Sequence, residues 1–131
     1  MVFIQFTAHG ADFAAQEFLS EHSLHGASLW QKGDPRRSGK VHEDSGLGFS
    51  LPDAETTVAA PPLVEAFLES NGRLLSALQH LGAACNLHLG VTVGEQSSFA
   101  PTLEFSPELL NRLAQRNISL SITGYPTSDE E

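Results

Sequence analysis

Residues 87–94 read LHLGVTVG, and residues 106–125 read SPELLNRLAQRNISLSITGY. In the first segment apolar residues alternate with polar or small ones, which is typical of a strand with one buried face. The tripeptide SPE at 106–108 predicts a helix start, because it supplies a capping hydroxyl, a proline in the first turn and an acid near the positive end of the helix dipole. The apolar stripe of this helix consists of Leu109, Leu110 and Leu113.

The helix is followed directly by a second alternating segment. Asn117 is suited to the left-handed conformation that ends many helices. Residues 118–123 then alternate apolar and polar side chains again. This third of the chain is therefore a strand, a helix and a strand, and it contains no catalytic or cofactor motif.

The remaining segments extend the same pattern towards the N-terminus. Alternation predicts strands at 2–8, 27–31 and 47–51. A first helix is predicted from Asp12, as its N-cap, to about residue 22.

The longest predicted helix runs from the two prolines at 61–62 to about residue 81. Its weakest point is Asn71-Gly72, because a glycine inside a helix costs about 1 kcal/mol relative to alanine. Whether the helix breaks there is left open.

The predicted order is β-α-β-β-α-β-α-β, which indicates an α+β fold with an antiparallel or mixed sheet. Crossover connections favour helices mainly on one face of the sheet, related to ferredoxin-like folds. At 131 residues and 40% hydrophobic composition, the chain 1–131 is expected to form a single domain. Residues 126–131 are expected to be a frayed acidic tail.

The composition indicates the cellular compartment of the protein and the class of partner that it binds. The single cysteine, Cys85, excludes an internal disulfide, and no apolar run approaches the roughly 20 residues that span a bilayer. We read no signal peptide at the N-terminus and expect a cytoplasmic protein without a membrane partner. The net charge of −9 disfavours nucleic acid as a ligand and favours a basic protein partner, although solubility alone also explains an acidic surface.

Residues suited to metal or nucleophilic chemistry do not form a recognisable site. His22 and His25 are three residues apart, as are Cys85 and His88, and the tripeptide HED at 42–44 forms a polar cluster. None of these sets supplies the ligands of a structural metal site at diagnostic spacing. Cys85 follows a helix end, which disfavours a thiolate, and we interpret it as a buried apolar residue. We therefore assign no catalytic residue, no metal and no cofactor.

Residues 30–40 contain the one cluster of side chains that suggests a binding site. Four of the seven basic residues lie there: Lys32, Arg36, Arg37 and Lys40. The only tryptophan precedes them, and tryptophan and arginine are enriched where proteins bind partners. The candidate binding residues are Trp30, Lys32, Asp34, Arg36 and Arg37. A second interpretation remains open, in which this is a solvated loop, three acids (Asp34, Glu43, Asp44) neutralise the bases, and Trp30 packs into the core.

With these segments placed, the chain resembles a bacterial family that is classified only as a domain of unknown function, number 4279 in that series. The resemblance follows GADF at 10–13, LWQKG at 29–33, LGFSL at 47–51, LEFSPELL at 103–110 and the terminal Tyr125. It differs from the family pattern at two positions: Phe49 stands where a tryptophan is expected, and Gly124 replaces a bulkier residue. The resemblance implies a small α+β domain and carries no established activity.

These observations predict a non-enzymatic interaction domain. Small acidic domains occur beside toxins as their inhibitors, so our leading hypothesis is an immunity protein that neutralises a toxin by direct binding. The first alternative is a small-molecule or anion-binding domain that uses Lys32, Arg36 and Arg37. The second is a hydrolase or metal-dependent enzyme, which requires a convergent pocket that the sequence does not reveal.

Overall fold

The described part of the chain contains nine elements of secondary structure. The computed structural model describes residues 1–94 and 99–127. In chain order the elements are β1 (Val2–Gly10), α1 (Ala15–Glu21), β2 (Ser28–Trp30), β3 (Ser45–Ser50), α2 (Ala60–Ser70), α3 (Gly72–His80), β4 (Ala84–Val93), α4 (Pro107–Gln115) and β5 (Ile118–Pro126).

The five strands form one mixed, open sheet in the order β2-β3-β1-β4-β5. All neighbouring strands are antiparallel except β4 and β5, which are parallel and are connected through α4. The predicted α+β class is confirmed. The first four strands have the split connectivity of ferredoxin-like folds, and α4 with β5 extends the sheet beyond them.

The core lies on one face of the sheet. The alternating residues of β1 on this face (Val2, Ile4, Phe6 and Ala8) are all buried, whereas Phe3 and Gln5 of the other face are exposed. Each helix contributes to the same hydrophobic cluster, and the ring of Phe67 in α2 lies 5.1 Å from that of Phe6. The opposite face, which we call the open face, carries mainly polar and small side chains.

The predicted long helix is two helices. α2 ends at Ser70 and α3 begins at Gly72, with Asn71 between them in a non-helical conformation (φ −121°, ψ 28°). The Asn71 side-chain amide donates to the Phe67 carbonyl at 3.0 Å, so it satisfies an acceptor at the end of α2. The Asn-Gly pair therefore divides the helix, and both halves bury leucines in the core.

The ends of α4 form as the sequence predicts. The Ser106 hydroxyl accepts a hydrogen bond from the Leu109 amide at 3.1 Å, and Pro107 occupies the first helical position. Asn117 has a φ of +56°, the left-handed conformation that ends the helix and turns the chain into β5.

Asp12 is not the N-cap of the first helix, and this prediction was wrong. α1 begins at Ala15, and its N-cap, Ala14, makes no side-chain cap. The Phe13 amide donates to the Gly10 carbonyl, so the chain turns immediately after β1 and buries the Phe13 ring against Phe18 before the helix starts. Burial of this ring outweighs the local capping preference of the aspartate.

Of the expected frayed acidic tail at 126–131, the structure describes only residues 126 and 127, which continue the contact with β4. β5 continues to Pro126, and the Thr127 amide donates to the Val93 carbonyl at 3.0 Å. Residues 128–131 lie outside the described residues. Within the described part of the chain, no helix has the length and apolarity that crossing a bilayer requires.

Replacement of the α4 cap tests this local argument. We expect Ser106→Ala to lower the free energy of unfolding by about 1 kcal/mol, because the Leu109 amide loses its acceptor. Urea denaturation measures the difference. Ser38→Ala, at an exposed serine that makes no side-chain hydrogen bond within the described chain, is the control and should change stability by less than about 0.5 kcal/mol. Equal effects of the two changes would contradict the capping role.

Candidate functional site

The basic segment is an ordered hairpin-like arm, which we call the basic arm (residues 31–44, between β2 and β3). Its two sides are joined by backbone hydrogen bonds from Gly33 to His42, from His42 to Asp34 and from Arg36 to Lys40, each 2.8 Å long. Pro35 and Val41 form an isolated antiparallel bridge. Residues 31–41 are all exposed, and their backbone is ordered by its own pairing.

Asp34 organises the base of the basic arm. Its carboxylate Oδ2 accepts from the Gln31 backbone amide at 2.7 Å, and its own amide donates to the Gln31 carbonyl at 2.9 Å. The neighbouring Lys32 amide donates to the Ser45 hydroxyl at 3.2 Å. Asp34 therefore closes a turn of the backbone, a role typical of aspartate in turns.

The basic side chains of the arm have no ion-pair partner among the residues that the structure describes. Lys32, Arg36, Arg37 and Lys40 form no side-chain contact within 4.0 Å of a carboxylate oxygen there. This contrasts with Arg112 of α4, whose guanidinium lies 3.9 Å from oxygens of both Glu65 and Glu69. Two of the nearby acids are engaged elsewhere, because Asp34 is held by backbone and Asp44 by a histidine.

Trp30 does not pack into the helix-covered core. It lies on the open face, half-buried, directly across from Gly46 of β3, and its ring stacks on His42 at 5.1 Å between centroids and 21° between planes. A Cβ at Gly46 would come within 2.7 Å of the Trp30 ring and 2.6 Å of the Ala8 carbonyl oxygen. The absence of a side chain at Gly46 therefore provides the seat for the indole.

The indole nitrogen of Trp30 is buried and has no hydrogen-bond partner among the described residues. A buried donor without an acceptor costs free energy, on the order of 1–3 kcal/mol. Packing on Gly46 and His42, and not a hydrogen bond of the indole nitrogen, therefore holds the ring at the junction between the sheet and the basic arm.

A histidine–aspartate pair next to the arm was missed by the sequence analysis. His9 Nδ1 and Asp44 Oδ2 are 2.6 Å apart, and both side chains are partly exposed. His9 ends the open-face row of β1 and lies opposite Gly46, whereas Asp44 immediately precedes β3. The alternation of β1 places His9 on the open face, but only the pairing of β1 with β3 brings the carboxylate to it. The pair joins the base of the basic arm to β1.

The other residues considered for chemistry lie apart from this site. Over residues 1–94 and 99–127, no group of three or more histidine, cysteine or acidic residues is arranged to hold a metal. His22 stacks on Phe18, and His88 shares a 2.8 Å hydrogen bond with the Ser121 hydroxyl on the open face. Cys85 is buried, as predicted, and burial raises the pKa of its thiol from 9.0 to about 11.

A concave region lies on the open face near the β5 edge of the sheet. It is a shallow cavity of about 450 Å³ beside Phe3, His88 and Tyr125. The Tyr125 ring covers Gly90, where a Cβ would approach Cε2 of the ring to 2.7 Å. The arrangement repeats the Trp30–Gly46 pair, in which an aromatic ring covers a glycine of the adjoining strand.

No family model, curated protein or solved structure matched this chain in comparison searches.

Substitution of the glycine beneath the indole tests how the arm is attached. We expect Gly46→Ala to lower the free energy of unfolding by about 1–3 kcal/mol, because the new methyl group must displace the Trp30 ring or the strand. Urea denaturation followed by tryptophan fluorescence reports both stability and the ring environment.

Gly124→Ala in β5 is the matched control, since its nearest neighbour would be 3.7 Å away, an ordinary contact distance. It should change stability by less than about 0.5 kcal/mol. A Gly46→Ala protein with unchanged stability and an unchanged emission spectrum would show that the indole does not occupy this seat.

The reactivity of Cys85 tests its burial. At pH 8 the raised pKa lowers the thiolate fraction about a hundredfold relative to a thiol with the ordinary value. We expect a disulfide reagent such as dithionitrobenzoate to label the native protein at least a hundredfold more slowly than the urea-unfolded protein. Glutathione measured with and without urea corrects for the effect of urea on the reagent. Equal labelling rates for native and unfolded protein would contradict this placement.

Proposed function

We propose that this chain is a non-enzymatic interaction domain that binds a protein partner through the basic arm. The observation that carries the proposal is that four exposed cations have no ion-pair partner in the described structure. These are Lys32, Arg36, Arg37 and Lys40, and they project from an ordered backbone. Exposed cations on an ordered arm can meet acceptors of a partner at a small cost in backbone entropy.

The two adjacent arginines define the chemistry of the contact. A guanidinium presents a planar set of donors that matches a carboxylate in a bidentate manner, and such charge-assisted bonds are stronger than neutral ones. We therefore expect the partner to present one or more carboxylates where Arg36 and Arg37 dock. The fixed turn between them and Lys40 sets the spacing of the donors.

The rest of the molecule acts at longer range. With 16 acidic and only seven basic residues in the chain, and four of the bases on the arm, the remaining surface is strongly acidic. Such a field accelerates encounter with a partner of net positive charge, whereas local contacts decide how long the complex lasts. The partner that fits both features is a basic protein with carboxylates at the docking position.

A toxin domain is the member of this class that we favour. A basic toxin with carboxylates in its catalytic cleft would be steered by the acidic surface and blocked by the arm. In this proposal the chain is an immunity protein that acts in the cytoplasm by direct binding. We include in this proposal the resemblance to the family numbered 4279, whose LWQKG segment at 29–33 forms the end of β2 and the start of the arm.

Charge reversal on the arm tests the proposal. Tagged protein from native-host lysate is expected to retain a partner at 50 mM salt, and Arg36→Glu or Arg37→Glu should each weaken the purified complex at least tenfold by titration calorimetry. The reason is that each change replaces a donor pair with a repelling carboxylate. Raising the salt to 500 mM should weaken the wild-type complex as well.

Arg73→Glu is the matched control, because Arg73 is an exposed arginine of α3 outside the arm and the change in net charge is the same. It should alter affinity less than twofold. A complex that withstands both arm substitutions, or the failure to retain any partner with the neighbouring genes expressed, would contradict the proposal.

The anion-binding alternative is supported by the same four exposed cations, which have no ion-pair partner in the described structure. The arm variants distinguish it. Thermal stabilisation by inorganic triphosphate that Arg36→Glu and Arg37→Glu abolish and Arg73→Glu preserves, together with no retained protein, would favour a small anion over a protein partner.

A further inference from the structure

The cavity between Phe3, Gly90 and Tyr125 on the open face, which we call the aromatic cavity, lies away from the basic arm. Its volume is about 450 Å³, and its lining comes from β1, β4, β5 and the segment that follows β3. This volume is within the range of small-molecule sites in proteins, roughly 300–1,000 Å³. No residue of the basic arm contributes to the lining, so the cavity is a separate feature of the surface.

Two aromatic rings flank one glycine in the aromatic cavity. Phe3 of β1 lies opposite Gly90 of β4, and Tyr125 extends over the same glycine from β5. A Cβ at Gly90 would lie 2.7 Å from Cε2 of Tyr125 and 3.8 Å from Cδ2 of Phe3. Phe3 is nevertheless 43% exposed and Tyr125 48% exposed. Aromatic surface that the fold leaves uncovered is therefore gathered around one point of the open face.

The lining of the cavity contains one carboxylate. Asp53 is the only aspartate, glutamate, lysine or arginine among the lining residues, and its side chain forms no hydrogen bond or ion pair within the described chain. The next residue fixes its backbone, because Ala54 and Val2 exchange two backbone hydrogen bonds of 2.7 and 2.9 Å. An ordered segment therefore presents this carboxylate to a ligand of the cavity.

The basic side chains of the protein all lie elsewhere in the fold. Four of the seven are on the basic arm, and the other three are Arg73 of α3 and, at the end of α4, Arg112 and Arg116. The α-ammonium group of Met1 donates to the Thr92 hydroxyl at 3.0 Å and is not part of the lining. With a chain net charge of −9, the potential at the cavity favours cations over anions.

We propose that the aromatic cavity binds a small organic cation of the alkylammonium or quaternary ammonium class. The cationic group contacts the rings of Phe3 and Tyr125, whose faces carry negative partial charge, and Asp53 supplies the opposite charge. An anion would meet a carboxylate and no base. A divalent metal ion requires about six oxygen ligands, and the described residues contain no group of acidic, histidine or cysteine side chains arranged to hold one.

Titration of the full chain with choline at constant ionic strength, followed by amide chemical shifts in NMR spectra, tests the proposal. We expect saturable shifts centred on Gly90 and Tyr125, with a dissociation constant of about 1 mM or lower. The uncharged isostere 3,3-dimethylbutan-1-ol, in which carbon replaces the nitrogen, should bind at least tenfold more weakly because it lacks the charge. Asp53→Asn and Tyr125→Leu should each raise the dissociation constant for choline at least fivefold, because each removes one of the two attractions.

Asp12→Asn is the matched control, because Asp12 is an exposed acid outside the aromatic cavity and the change in net charge equals that of Asp53→Asn. It should leave the dissociation constant within twofold. Arg36→Glu on the basic arm should do the same, so cation binding and the proposed partner binding can fail separately. Circular dichroism should show native content for every variant.

Two results would overturn the inference on the side of the ligand: shifts that do not saturate, and equal binding of choline and its uncharged isostere. An affinity for choline that Asp53→Asn and Tyr125→Leu both leave unchanged would place the cation elsewhere on the protein and would overturn it as well.

Discussion

The fold depends on the burial of one face of β1 while this strand is paired on both sides. β1 is the central strand, antiparallel to both β3 and β4, and its inward residues are among the least exposed in the chain. Each neighbouring strand brings its own apolar row into register with it, so that Phe49 lies opposite Phe6 and Leu89 opposite Ile4. Because the side-chain period of a strand is two, a shift of one residue would turn the whole row towards solvent.

This register also determines what faces the solvent. The residues of β1 that alternate with the core, from Phe3 to His9, must lie on the open face together with the polar rows of β4 and β5. The helices of the described structure contribute to the core on the other face, and on the open face the rings of Trp30 and Tyr125 each cover a glycine of an adjoining strand. The protein-binding surface that we propose follows β2, at one edge of this sheet.

The local signals near the C-terminus were reliable because each acts over a few residues. The Ser106 hydroxyl caps a helix whose first amides are within its own reach, and Asn117 reverses the chain with its own backbone angles. The weak point at Asn71 was recognised for the same reason. At Asp12, by contrast, the capping preference lost to the burial of Phe13, which depends on residues packed around it. A local preference decides the structure only where no larger apolar burial competes with it.

The sequence by itself determined the α+β class, most of the strands and helices, and the clustering of bases after Trp30, because alternation, capping and composition are properties of neighbouring residues. Tertiary structure alone decided that Trp30 rests on Gly46, that His9 meets Asp44, and that the polar loop is an ordered arm. The physical reason is distance along the chain. His9 and Asp44 are 35 residues apart, and the arm is ordered by backbone hydrogen bonds that leave no pattern in the side chains. Such contacts exist only after β1, β2 and β3 have aligned.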